Sequence, residues 1–512
     1  MIVPLNHDNP SPPCLKTRQR LLATKGKQAQ NGQKKQAGPR KKLSKCSRKS
    51  KPSRSLPVDA PSMPAELKQV NLNAAGIDVG ATVHFVCVPE GRDPQPVRSF
   101  GAFTADLEAI ADWLTQCGVT TVAMEATGVY WIPLFELLER RGFEVKLVEP
   151  SRLKHVPGRK SDVLDCQWIQ QLHTFGLLGG SFRPDDSICV LRSFVRQRQM
   201  LVRSLSRCVL HMQKALTQMN LKLQHVLSDI TGVTGMAILN AILAGERDPQ
   251  QLAKLRDGRC SHDEATIALA LQGNWREDHL FELKQAMDTY RFYQGKLVEV
   301  DEKIQAHLKT FEDKSQGKAL ERPTGAKRHR VSDLTFDART HLYTITGMDL
   351  TEVDGLEANT VLTVISEIGL DMSRWPTEKH FTSWLTLCPG VNKTGGRSES
   401  RSGRTRASSN RAAAALRMAA STLLRADCAL GAYARRMRAR LGAPKAITAT
   451  ARRLAIIIYN MLKYGKAYVD RGAEYYQEQY RATMIKNLKR RAKQLGFEVV
   501  EMTAASEVVA AA

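Results

Sequence analysis

A mixed α/β domain followed by a mostly helical remainder is the architecture that the 512-residue chain predicts, on three observations. Between residues 74 and 150, short apolar runs alternate with helical segments. A hairpin leads and βαβ units follow, an order that gives a mixed sheet with helices on its faces. Two long Leu/Val-rich segments, 187–225 and 278–310, repeat apolar residues at helical spacing, which suits an antiparallel coiled stalk or a dimerisation element. Residues 373–470 are helical in pattern and strongly basic.

The elements follow in order. Ala75-Gly76-Ile77-Asp78-Val79 reads as a strand, with Val83 to Val88 as its hairpin partner after a Gly80 turn. Val97 to Phe103 makes a third strand. From Ala105 to Cys117, Leu107, Ile110, Ala111 and Leu114 share one helical face. Thr120 to Glu125 is a buried strand, Ile132 to Arg141 a helix ended by Gly142, and Glu144 to Glu149 a fifth strand closed by Pro150. A helix is expected after Ser161. Two segments share the shape turn–Gly–apolar helix: Asp229 to Val233 before Gly235 to Ala244, and Glu352 to Leu356 before Asn359 to Ile368. Such helix starts either bind phosphate through free N–H groups or serve as packing turns. Gly390 to Ser409 is a Gly/Ser/Arg-rich loop, and the helix from Asn410 to Arg425 takes Ser408 or Ser409 as its N-cap.

Composition narrows the function classes. With 76 Lys+Arg against 51 Asp+Glu, the net charge is +25. Residues 1–60 hold 15 Lys/Arg and two acids, Asp8 and Asp59, so about half of the excess lies in a Pro/Ser/Gln/Lys-rich tail expected to be disordered. Met63 opens the ordered part and is an alternative start. A basic surplus attracts polyanions, foremost the phosphate backbone; the bland reading is a solubilising surface. No window reaches the ~18 apolar residues of a membrane span, and the first 60 residues lack a secretory h-region, so a cytoplasmic, nucleoid-associated protein with no membrane partner is expected. None of the ten cysteines forms a C-x-x-C pair, which leaves reduced thiols as the expectation.

Four acids stand out. Asp78 lies inside an apolar strand, where a carboxylate costs several kcal/mol unless paired or metal-bound. Glu125 ends a second apolar strand. Asp162 and Asp165 share a face at a helix start. Converging, these hard oxygen ligands suit Mg²⁺, which bridges phosphate oxygens in in-line displacement. Taken singly, Asp162 can simply stabilise its helix N-terminus and Glu125 can be a surface acid. Arg397, Arg401, Arg404, Arg406 and Arg411 make the Gly/Ser loop cationic, and Arg435, Arg436, Arg438, Arg440 and Lys445 form a second cluster. Phosphates or solvent are the partners open to them.

Three motifs in order resemble one family: Gly76-Ile77-Asp78-Val79-Gly80, Met124-Glu125-Ala126-Thr127-Gly128-Val129-Tyr130, and Lys160-Ser161-Asp162-Val163-Leu164-Asp165. Together they look like the DEDD-type insertion-sequence transposases of the IS110 family, relatives of the Piv DNA invertase, described as bridge-RNA-guided recombinases. The resemblance runs from about residue 70 to 475. It implies a resolvase-type, ribonuclease-H-like first domain with Asp78, Glu125, Asp162 and Asp165 as Mg²⁺ ligands. It also implies a coiled-coil insertion and a helical C-terminal transposase domain bearing a nucleophilic serine. Here the matching position, five after Pro389 and before Gly395, is Thr394, a departure whose extra methyl group crowds the attack; Ser398, Ser400 or Ser402 are the substitutes. The partition expected is a tail (1–65), catalytic domain (70–186), coiled coil (187–310), linker (311–340), transposase domain (341–475) and C-terminal tail (476–512).

The activity so implied is transposition. Acids hold Mg²⁺, a hydroxyl attacks the phosphodiester, and a covalent protein–DNA intermediate is resolved by a DNA hydroxyl. Lys160 and the loop arginines Arg397, Arg401, Arg404, Arg406 and Arg411 would hold nucleic acid. The partners expected are element ends and target DNA, a structured noncoding guide RNA and further copies of the chain as a dimer or tetramer. Two other readings stay open: a Holliday-junction-type nuclease with water as nucleophile, and a non-catalytic nucleic-acid-binding protein from a decayed element.

Overall fold

The computed structural model of the protein describes residues 68–150, 162–318, 320, 332–390, 405–470 and 472–499. The expected tail (1–65) lies outside them, as do Lys160, Thr394, Ser398, Ser400, Ser402, Arg397, Arg401 and Arg404. The chain divides into two compact units, one of residues 1–145 with 155–177, the other of 146–154 with 178–512.

The N-terminal part of the chain is built on a five-stranded sheet of β1 (Ala74–Val79), β2 (Val83–Cys87), β3 (Val97–Gly101), β4 (Thr121–Glu125) and β5 (Glu144–Val148), in the order β3-β2-β1-β4-β5. β1 pairs antiparallel with β2 and parallel with β4, so the sheet is mixed. That order follows from the turns. The tight turn between β1 and β2 allows only a hairpin, whereas β1 reaches its parallel neighbour β4 after a helix, α1 (Thr104–Gln116). α1 buries the predicted stripe of Leu107, Ile110, Ala111 and Leu114, together with Trp113. α2 (Trp131–Arg140) buries Leu134, Phe135, Leu137 and Leu138. α3 (Asp162–Thr174) packs on β1.

The second unit opens with α4 (Asp186–Gln218), whose antiparallel partner is α9 (Glu277–Leu308). The pairing direction is visible in two links. The His307 ring bonds the Ser187 carbonyl and Arg198 bonds Asp301, so numbers fall along α9 as they rise along α4. Four helices, α5 (Leu223–Val226), α6 (Val233–Ala244), α7 (Pro249–Ala253) and α8 (Glu264–Ala270), fill the far end of this hairpin. They share with it a core that includes Met212, Leu216, Ile238, Leu239, Met287 and Tyr290. The predicted hairpin of long helices is therefore real, and it carries a helical cap.

A second core joins the near end of the hairpin to α10 (Ala338–Thr346), α11 (Ala358–Ile368), α12 (Glu378–Trp384), α13 (Arg411–Thr422), α14 (Ala429–Leu441) and α15 (Ala443–Tyr464). α13 buries Ala412, Ala413, Leu416, Ala419 and Ala420, and these small side chains let it lie close against α11 and α15. Tyr459 is fully buried among Trp375 and Phe381, and its hydroxyl donates to the Trp375 carbonyl at 2.8 Å. The expected linker (311–340) is firmly fixed at its end. Arg198 donates to the carbonyls of Ser332 and Asp333, and the Thr335 N–H donates to Asp301. These bonds go to main-chain groups, whose partners, Arg198 and Asp301, are buried. The N-cap of α13 is Asn410, whose side chain accepts from Ala413 N–H at 2.9 Å, and not Ser408 or Ser409; Ser408 instead accepts from Asn410 N–H. A final helix, α16 (Gly472–Gln494), follows. None of the described helices is long and apolar enough to cross a membrane.

Candidate active site

The site is assembled by strand register. β1 and β4 run parallel with Gly76 beside Ala123 and Ile77 beside Met124. One step further, the same register sets Asp78 beside Glu125 on strands about 4.8 Å apart. Side chains alternate along a strand, so Asp78 shares the face of Gly76. That face is where α3 lies. A Cβ on Gly76 would sit 2.3 Å from the Gln170 nitrogen and 2.5 Å from the Cys166 oxygen, closer than real atoms come. Glycine therefore lets α3 rest on β1, and the turn before Cys166 brings Asp162 and Asp165 over Asp78.

Carboxylate oxygens of Asp78, Asp162 and Asp165 lie within 4.8 Å of one another. Three like charges so close repel unless a cation or protons lie between them. The donor set, hard oxygens only, fits a divalent cation such as Mg²⁺. The N-terminus of α3 adds a favourable dipole for Asp162 and Asp165, so the helix-stabilising and metal-binding readings of these acids coexist. Glu125 is not one of the three. It accepts a hydrogen bond at 2.9 Å from the Thr127 hydroxyl, two residues on. The structure thus brings three of the four expected acids together and leaves Glu125 at the neighbouring strand end, half-buried.

Two features of the site were not singled out from sequence. Gly76 is the cradle for α3, and its only signal was a small residue inside an apolar strand. The Cys166 thiol faces Cys87, the cross-strand partner of Gly76. Contact with Cys87 and burial push the Cys166 thiol far up, which makes it an inert part of the wall. A separate group, Asp354, Cys428 and Asp470, also has ligand atoms within 4.8 Å. There the Tyr468 hydroxyl donates to Asp354 at 3.1 Å, and burial beside that carboxylate raises the phenol well above its usual range.

Two segments of the chain each match a family model. The DEDD-type IS110 transposase model matches residues 75–221, and that of the IS116/IS110/IS902 transposase family matches residues 348–435. The chain belongs to the IS110 family of transposases. No curated protein sequence matches it.

In this transposase the first match contains Asp78, Glu125, Asp162 and Asp165, and the second contains the Pro389 loop with Thr394. The ends of that loop are joined, because Pro389 and Thr405 form an antiparallel bridge. Of the six expected nucleic-acid-binding residues, Arg406 and Arg411 are described. Arg406 is exposed. Arg411 is half-buried and commits one N–H to Gln199 at 3.0 Å, which ties α13 to α4. In the second cluster Arg435, Arg438 and Arg440 are exposed, while Arg436 is held by aromatic rings. The two Gly-containing helix starts of the transposase border one open groove of about 1740 Å³. Its lining includes Asp229, Asp257, Asp333, Asp337 and Glu357, against Arg259 and Arg339, both paired with aspartates. So acidic a surface disfavours phosphate, and the packing-turn reading of these segments prevails.

Proposed function

We propose that the protein cuts and rejoins DNA for insertion-sequence movement, with Asp78, Asp162 and Asp165 as the metal-binding acids and Glu125 as a fourth acid beside them. The convergence of the three carboxylates at the ends of β1 and α3 carries this reading. A bound divalent cation would supply Lewis-acid charge to phosphate oxygens. Asp78 fixes the position from the rigid sheet, and Asp162 and Asp165 close it from α3. Thr127 steadies the Glu125 carboxylate through its hydrogen bond.

Thr394 is the proposed nucleophile. Its oxygen forms a bond to phosphorus as the bond from phosphorus to a deoxyribose oxygen breaks. A DNA hydroxyl later reverses that exchange, so the number of phosphodiesters is conserved and no nucleotide is consumed. Lys160, Arg397, Arg401, Arg404 and Arg406 would hold the backbone, with Arg411 contributing what its bond to Gln199 leaves free. A structured guide RNA, and a dimer or tetramer that brings the two half-sites together from different copies, complete the proposal.

The test is a nicked suicide DNA substrate carrying the element end. A covalent adduct that forms with wild-type protein, is retained in Thr394→Ser and disappears in Thr394→Ala supports the reading. Free ends with no adduct at any time would replace it with hydrolysis by the same acids.

A further inference from the structure

Helix α16 lies beyond both family-matched segments. Its first half is anchored, since the rings of Tyr476 and Tyr480 hold the Arg436 guanidinium of α14 at 4.9 and 4.0 Å from their centroids. The second half carries Lys486, Lys489, Arg490 and Lys493. The spacing i, i+3, i+4, i+7 sets all four on one face, within about 100° of arc. All four are exposed, and none forms an ion pair with a described residue. The chain has no acid between Glu478 and Glu498. Like charges at these spacings repel one another, so the row gains most from a polyanion laid along it. The opposite face shows Met484, Leu488 and Leu495, each more than half exposed.

We propose that the Lys486/Lys489/Arg490/Lys493 face is an additional contact for duplex DNA, binding its sugar–phosphate backbone without reading sequence. Charge complementarity selects the occupant, and the family's DNA partner places phosphate at hand. The proposal rests on the transposase assignment for its partner alone; it does not depend on strand chemistry, so either can fail without the other. Structured RNA offers the same phosphate chemistry, so the test carries an RNA arm that can overturn the DNA assignment.

Full-length protein is titrated with a duplex of about 30 base pairs and with an RNA hairpin of similar length across a salt series. In the variant Lys486→Gln/Lys489→Gln/Arg490→Gln/Lys493→Gln, the slope of log K against log salt is expected to fall by about 3, and Kd near 0.1 M salt to rise at least tenfold. Helicity should be unchanged, and Lys-to-Arg replacements at the three lysines should keep the wild-type slope. A changed slope on DNA, with or without a change on RNA, supports the proposal, and a change on RNA alone overturns it. Unchanged slopes on both overturn the proposal, including the case in which the same variant instead loses binding to anionic phospholipid vesicles.

Discussion

Single residues hold the site and the hairpin together, and each can be tested alone. Gly76 is a tight point of the candidate site, because any side chain there meets the backbone of α3 rather than a movable tip. Gly76→Ala should cost about 1–3 kcal/mol through overpacking. It should also lower strand-transfer activity by shifting Asp162 and Asp165 off Asp78, even at temperatures where the protein is fully folded. Activity that survives intact would show that α3 does not position those acids. Arg198 and Asp301 form a bidentate pair, 3% and 0% exposed by side chain. Asp301→Ala leaves a buried guanidinium without its counter-ion and should cost about 3–5 kcal/mol, read as a lower Tm. His84 gives a pH dependence. Burial lowers its pKa below the ordinary 6.5, with the Asp106 carboxylate partly opposing. The unfolded chain therefore binds the proton more readily than the folded one. Stability is full above about pH 6.5 and falls as the pH drops below it. In His84→Gln the loss of Tm between about pH 7.5 and 5.5 should shrink, and an unaltered loss would remove His84 from the account.

At the scale of elements, periodicity was a good guide wherever one face is buried. All five strands and the helices α1, α2, α9 and α11 lie within a few residues of their expected positions, and α3 and α4 begin where expected although α4 ends at Gln218 rather than 225, because apolar spacing and burial describe the same face. The site was legible in part for the same reason. An acid inside an apolar strand has few explanations, and Asp78 does converge with Asp162 and Asp165. What sequence could not convey is side-chain commitment. Nothing in the spacing says that Thr127 holds Glu125, that Arg411 bonds Gln199, or that Asn410 rather than a neighbouring serine caps α13. Asn410→Ala should destabilise by about 1 kcal/mol, while Ser409→Ala should change little. The two Gly turns were ambiguous from sequence because phosphate-binding and packing turns share a backbone shape; only the surrounding carboxylates separate them.

For the whole molecule, charge and modularity set the behaviour. The +25 excess is divided between the N-terminal segment and the rest of the chain, so removing residues 1–60 should weaken DNA binding and reduce its salt dependence without abolishing strand chemistry. Loss of all chemistry on that truncation would mean that the tail belongs to the reacting assembly. The four acids belong to the first compact unit, whereas Pro389 and Thr405, at the ends of the candidate loop, belong to the second. On the proposed reading, recombination draws on both. The proposed chemistry depends on ion capture by the β1–α3 carboxylates, and calorimetric titration of Mg²⁺ or Mn²⁺ into the full-length protein measures it directly. Wild-type protein should bind with an affinity that drops at least tenfold in Asp78→Asn and again in Asp162→Asn; equal affinity in all three would contradict it.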